Sequence, residues 1–151
     1  MKKFLFLIKN TMSFIKIYIH VVFSTKNRNP YLNTPDLRIK VWKHIKENAS
    51  QKDIYLDMVN GYSDHCHCLI SLGSGQNIEK IAQLLKGESS HWINKNQLTT
   101  EKFSWQDEYL AVSVSESKID TVRNYIKNQE KHHQKKTFTV EYQEFIEKYN
   151  F

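Results

Sequence analysis

Ser63-Asp64-His65-Cys66-His67-Cys68-Leu69-Ile70-Ser71-Leu72 is the stretch from which the rest of the chain is read. It alternates and ends in aliphatic residues, the pattern of a half-buried β-strand. Successive side chains on a strand point to opposite faces. His65 and His67 therefore share one face, and Cys66, Cys68 and Ile70 share the other, which suits a core. Immediately upstream, Ile54 to Tyr62 reads as another strand, with Ile54, Leu56 and Met58 on one face. Asn60-Gly61 through Asp64 reads as the turn between them, so the two strands form a hairpin. Two imidazoles two residues apart on a rigid strand are able to hold one metal ion. On its own, that spacing is most often that of two ordinary strand histidines.

Working outward, Phe14 to Ser24 alternates as a first strand. Ile15, Ile17, Ile19, Val21 and Phe23 face one way; Lys16, Tyr18, His20 and Val22 face the other. Thr34-Pro35-Asp36 opens a helix, with Thr34 as N-cap and Pro35 at the first helical position. Leu37, Val41, Ile45 and Ala49 form its core stripe, with Trp42 beside them. Asn77 caps a second helix reaching about Asn94, lined by Ile78, Ile81, Ala82, Leu85 and Trp92. Gly87 inside it costs about 1 kcal/mol relative to Ala, which predicts a close approach to the backbone there. Trp105 to Ser115 reads as a strand region. Ser117 and Asp120 outline a capping box for a third helix running to about His133. A last amphipathic helix over Thr139 to Tyr149 has Tyr142, Phe145, Ile146 and Tyr149 on one side, to pack on the domain or on another subunit. The order predicts an α+β protein, a ferredoxin-like (βαββαβ) antiparallel sheet with packed helices.

The 151 residues are enough for one domain with a core of its own. A formal charge of +6 and a pI near 9.2 favour an acidic partner, most commonly nucleic acid, though inert basic surfaces also exist. Cys66 and Cys68, on one strand face, are poorly placed for a disulfide, and a reduced, cytoplasmic setting follows. Met1-Lys2-Lys3-Phe4-Leu5-Phe6-Leu7-Ile8 imitates the start of a signal peptide, but its apolar run is short and no small-residue cleavage site follows. No stretch approaches the ~20 apolar residues of a membrane span. Residues 1–12 are expected to be a short extension, with Met12 an alternative start. Residues 13–136 are expected to form the main domain and 137–151 its C-terminal helix.

On the third helix Tyr125 and Gln129 are four apart and share a face. Ile119, Val122 and Ile126 form the adjacent buried stripe. Tyr125 lies at the edge of the packed side, either as a tyrosine bonded to something nearby or as one with its hydroxyl presented for chemistry. Lys86, Ser89, Ser90 and His91 around Gly87 read equally as a polar helix face or a nucleic-acid contact.

Taken together, five stretches make the chain resemble the single-tyrosine HUH transposases of small bacterial and archaeal insertion sequences, the superfamily of the REP-associated tyrosine transposases. They are Tyr18 to Arg28, Asp64-His65-Cys66-His67, Leu84 to Ser90, Tyr109 to Ser115 and Tyr125 to His133, in the family's order. Two departures stand out. Cys66 occupies the middle of the HUH motif, where bulkier aliphatics are more usual. Glu108 and Leu110 stand where such sequences often have glycine.

The resemblance implies that His65 and His67 are metal ligands and that Gln129 supplies a third through its amide oxygen. Such donors suit Mg or Mn. Tyr125 would be the nucleophile that cuts single-stranded DNA, forming a 5′-phosphotyrosine and freeing a 3′-OH; a later 3′-OH rejoins the strand. The ester conserves the bond energy, so no nucleotide cofactor is implied. Family members act as homodimers on DNA hairpins near the element's ends, with the tyrosine serving its own or its partner's histidine pair. Lys26, Arg28, Lys86, Lys127, Lys131, Lys135 and Lys136 are candidate phosphate contacts. His132 and His133 are expected to face DNA or solvent, and Asp64 to orient a ligand histidine or simply form a turn. Competing readings are a domesticated relative acting on repetitive hairpins, a non-catalytic nucleic-acid-binding module of the same fold, and a metal-dependent hydrolase using water.

Overall fold

The computed structural model describes residues 14–151, so the expectations for residues 1–12 lie outside the described residues. Four strands, β1 (Ile17–Ser24), β2 (Tyr55–Tyr62), β3 (His65–Leu72) and β4 (Leu110–Val114), form one sheet in the order β2-β3-β1-β4. Every pairing is antiparallel. Helix α1 (Pro35–Gln51) joins β1 to β2, and α2 (Ile78–Lys95) joins β3 to β4. Three helices follow the sheet: α3 (Ile119–Lys127), the single turn α4 (Gln129–His132) and α5 (Phe138–Lys148). This is the ferredoxin-like arrangement, with helices on both faces of the sheet.

The two faces carry different cores. On one, Val21, Phe23, Cys66, Cys68 and Ile70 pack against Val41, Trp42 and Ile45 of α1 and Ile81, Leu85 and Ile93 of α2. On the other, Leu69 meets Ile119 and Ile126 of α3, while Val22, Leu110 and Val112 meet Phe138 of α5. The sheet is thus covered on both sides, and β3 is apolar or paired along most of its length. The last helix packs on its own domain through Phe138, Tyr142, Phe145 and Ile146.

Thr34 caps α1 by accepting from Leu37 N at 3.2 Å, and Asn77 caps α2 by accepting from Lys80 N at 2.9 Å. Elsewhere the residues behave differently from their pattern. Regular pairing of β1 begins only at Ile17, and Phe14 and Ile15 are exposed. In β2 the register with β3 shifts between Leu56 and Met58. This bulge at Asp57 turns Met58 to the opposite face from Leu56: Leu56 enters the α1–α2 core and Met58 packs by Leu69 and Ile126. Asn60 and Gly61 belong to β2, leaving Ser63 and Asp64 as the turn.

The fourth strand starts at Leu110, not at Trp105. Trp105 makes an isolated bridge to Thr25, and its indole donates to Ser89 Oγ at 2.9 Å. The capping box at Ser117 is not formed: a 3-10 turn, Glu116–Lys118, precedes α3, and Asp120 instead accepts from Arg123 at 2.9 Å. The expected single helix to His133 breaks at Asn128 (φ −97°, ψ 22°), whose side chain bonds Asn124 O at 2.9 Å and competes with the helical ladder. Around Gly87 nothing lies within 4 Å of where a Cβ would be, so no close approach explains that glycine.

Candidate active site

The histidine face of β3 looks at α3, α4 and α5, and His65, His67, Tyr125, Gln129, His132, His133 and Glu141 meet there. Each is placed by a local device. The β3 pleat puts His65 and His67 on one face, with ring centroids 5.1 Å apart, and both are fully buried. Asn60, paired across the sheet with His67, donates to the carbonyls of Ile126 (2.9 Å) and Lys127 (3.1 Å). That amide holds the C-terminal end of the tyrosine helix against the sheet. Gln129 follows the break, fully buried, with Nε2 donating to Tyr125 O at 3.3 Å. Glu130 clamps the same turn: the buried Arg38 guanidinium grips it through two hydrogen bonds of 2.6 and 2.9 Å.

His65 Nδ1 donates to Asp64 Oδ1 at 2.9 Å, so Asp64 both shapes the turn and orients the ring. Nε2 of His65 then points inward, 3.0 Å from Gln129 Oε1. His67 shares a 2.9 Å hydrogen bond with His20 through Nδ1, and its Nε2 lies 3.0 Å from Glu141 Oε1. His65, His67 and Gln129 therefore do converge, as does Tyr125: its ring centroid is 5.5 Å from that of His67 in the same chain, and its hydroxyl donates to Glu141 Oε2. Tyr125 is partly buried beside a cleft of about 250 Å³ that His20, Glu144 and Phe145 also line.

His133 is turned inward, whereas His132 stays partly exposed at the edge of the cluster. The His133 side chain is 1% exposed, Nδ1 donates to Lys136 O at 2.6 Å and Nε2 sits 3.0 Å from Gln129 Oε1. His132 Nε2 lies 2.9 Å from Glu141 Oε2. The residue missed altogether is Glu141. Its side chain is 2% exposed, and it belongs to two groups with metal-ligand spacing, His65–His67–Glu141 and His132–His133–Glu141. One signal was available: in α5 an acidic residue falls within the apolar stripe of Phe138, Tyr142 and Phe145. His20 and Arg38 gave similar signals, as polar residues at core positions of β1 and α1.

Burial lowers the pKa of His20 to about 3 and that of His67 to about 4. Burial also raises the Tyr125 phenol well above its ordinary range, and the Glu141 carboxylate adds to this. Burial alone would raise the Glu141 carboxyl, but hydrogen bonds from His133 and His67 outweigh it and hold the group below the usual carboxylate range. Burial thus favours neutral rings at His20 and His67 and a protonated phenol beside the Glu141 carboxylate.

Of the basic residues, Lys26, Lys127, Lys131 and Lys135 are exposed. Lys131, Lys135 and Lys136 line a cleft of about 480 Å³ together with His132. Arg28, Lys86 and Lys136 are engaged within the chain, Lys136 with the Glu144 carboxylate at 2.9 Å. Arg28 donates to Thr139 at 3.0 Å and stacks over Tyr142, and Lys86 donates to Asp107 O at 2.8 Å and is half-buried.

The profile of the family described as "Transposase IS200 like" matches residues 13–129. The chain belongs to this family. Among solved structures, it is similar to a protein from Deinococcus radiodurans R1 provisionally described as a transposase, with 21% identity, a TM-score of 0.61 and coverage of 78% of this chain and 93% of the other. It is also similar to the REP-associated tyrosine transposase bound to a REP hairpin, with 15% identity, a TM-score of 0.60 and coverage of 80% and 71%. No curated protein matches by sequence. At these identities the two structures establish the shared fold. The transposase family match ends at Gln129, so His132, His133 and Glu141 come from beyond it. Among the described residues no helix is long and apolar enough to cross a membrane.

Proposed function

We propose that this transposase cuts and rejoins single-stranded DNA through a 5′-phosphotyrosine on Tyr125, assisted by a divalent cation, Mg or Mn, held by His65, His67 and Gln129. One observation carries the reading: the Tyr125 hydroxyl lies in the same buried cluster as the paired imidazoles of its own chain. The donor set fits such a cation. Asp64 Oδ1 and Gln129 Oε1 are both pure acceptors, and a neutral His65 has one proton to offer them. A cation at Nε2 removes that mismatch, and Asp64 then acts as the carboxylate that orients a ligand histidine. When bound, the cation supplies Lewis-acid polarisation of the scissile phosphate.

The chain's own residues do the rest. Tyr125 is anchored through α3 packing, and its hydroxyl proton is already directed at Glu141 Oε2. On attack the phenolic proton passes to an acceptor, the new bond forms between the phenolic oxygen and phosphorus, and the bond to O3′ breaks. The departing O3′ takes up a proton. In the return step a 3′-OH attacks the ester and releases Tyr125. The basic cleft of Lys131 and Lys135 is the surface that receives the strand's phosphates, joined by Lys26 and Lys127; Arg28, Lys86 and Lys136 join only where their present bonds are exchanged. Hairpins are the substrate, and two copies of the chain supply the two cleavages that excision needs.

The test is a labelled hairpin strand incubated with the protein and Mg or Mn, resolved under denaturing conditions. A covalent adduct is expected, absent in Tyr125→Phe and present in Tyr18→Phe. Binding with no adduct, or cleavage that survives Tyr125→Phe, would overturn the proposal.

A further inference from the structure

We infer that Glu141, delivered by α5 from beyond the family segment, is a further ligand of the cation at His65 and His67, so that binding the ion fastens the C-terminal helix over the site. This rests on the cation-assisted reading above and adds a residue to it.

The spacing is that of a shared coordination shell. Glu141 Oε1 is 3.0 Å from His67 Nε2 and 3.5 Å from His65 Nε2, and His65 Nε2 is 3.0 Å from Gln129 Oε1. Neighbouring donors on an octahedral ion with bonds near 2.1 Å stand about 3 Å apart. Those three pairs stand at such a spacing, and the ligand atoms of His65, His67 and Glu141 all lie within 4.8 Å of one another.

The buried carboxylate of Glu141 would supply counter-charge to a divalent ion held there. Glu141 is otherwise a charged residue on the apolar face of a helix, between Phe138 and Tyr142. Such a position is costly unless the charge is matched. Phe138 also stacks on His65, with centroids 4.1 Å apart and planes 12° from parallel, so seating the helix and shaping the ligand are one event.

The test uses the full chain and Mn alone. Calorimetric titration is expected to show tight Mn binding in the unmodified protein. The dissociation constant should rise by about tenfold or more in Glu141→Gln and binding should vanish in His65→Ala, with folding of each checked by circular dichroism. In parallel, Mn is expected to slow amide hydrogen exchange over residues 138–148 of the unmodified protein, and not in Glu141→Gln. Mn affinity unchanged in Glu141→Gln while His65→Ala loses it would overturn the role of Glu141 and leave the histidine site standing. Affinity unchanged in both would overturn the histidine site as well. Should Glu141→Gln fail to fold, exchange over α5 in the unmodified protein that ignores Mn refutes the inference by itself.

Discussion

Two glycines should respond to alanine with opposite signs. Gly61 sits in β2 opposite Cys66, between the pairs that carry His65 and His67. Its backbone conformation is one any residue adopts, yet an added Cβ would run into the His65 carbonyl oxygen and come within 3.0 Å of Cys66 Cα. Both obstacles are backbone, so the strands themselves must part. A forced backbone shift of this kind costs about 3 kcal/mol, the upper end of overpacking. In a chain of this length that lowers the melting temperature by about 6–12 °C. Because the displaced segment is the one bearing the histidine pair, Mn affinity should fall as well. Gly87, by contrast, lies in α2 with open space around it. Alanine there removes a helix penalty of about 1 kcal/mol and should raise the melting temperature by about 2–4 °C. Differential scanning calorimetry of the two variants settles both. A Gly61→Ala protein within about 1 kcal/mol of the parent, or a destabilised Gly87→Ala, would refute the reasoning from backbone clearance.

Other outcomes follow from the same contacts. His20 and His67 have folded pKa values of about 3 and about 4, below the ordinary 6.5, so below pH 6.5 the unfolded chain binds more protons than the folded one. Stability present at neutral pH should therefore fall from pH 6.5 down to about 4 for His67 and about 3 for His20, by about 2 kcal/mol per histidine at pH 5, in chemical unfolding of the metal-free protein; a flat profile there would contradict the buried neutral rings of these two. Glu130→Ala should cost about 1–2 kcal/mol by urea unfolding, less than a fully buried pair because the Glu130 side chain is 43% exposed. The same change should weaken Mn binding by loosening the turn that carries Gln129; an unaltered affinity would show that the turn holds itself. Cys66 and Cys68 are fully buried, with sulfurs 3.7 Å apart and the Cys66 thiol pushed up by burial, so neither should react with iodoacetamide in the native protein while both do in urea.

The fold was largely legible because its signals are local. Alternation in β1 and β3 and the caps Thr34 and Asn77 need only a few neighbours to be read. The histidine pair and the Tyr125–Gln129 spacing were equally legible, since each lies within one element. What escaped depends on residues far apart in the chain. Whether Ser117 caps a helix is decided by where Asp120 turns, and Arg123 takes it. The break at Asn128 looks like any helical asparagine until Asn60, 66 residues from Ile126 in the chain, takes the carbonyls beside it. His133 reads as a surface residue in a basic tail, but α4 folds it inward against Tyr62. Gly87 departs from its pattern for the opposite reason: a glycine within a helix suggests a close neighbour, and here none lies within 4 Å. Glu141 was visible only as a misfit, an acid on an apolar stripe whose partners come from another strand and two other helices.

The extra residue at Asp57 lets one edge strand feed both hydrophobic layers, sending Leu56 to one side and Met58 to the other. Asp57 itself is left to receive Arg123 of the tyrosine helix through bonds of 2.7 and 3.1 Å. Excising that single amino acid would restore a regular ladder. It would also throw the N-terminal half of the strand out of phase with its surroundings and untether the helix bearing Tyr125. An apparent irregularity at the rim of the sheet is thus a hinge pin for the opposite layer.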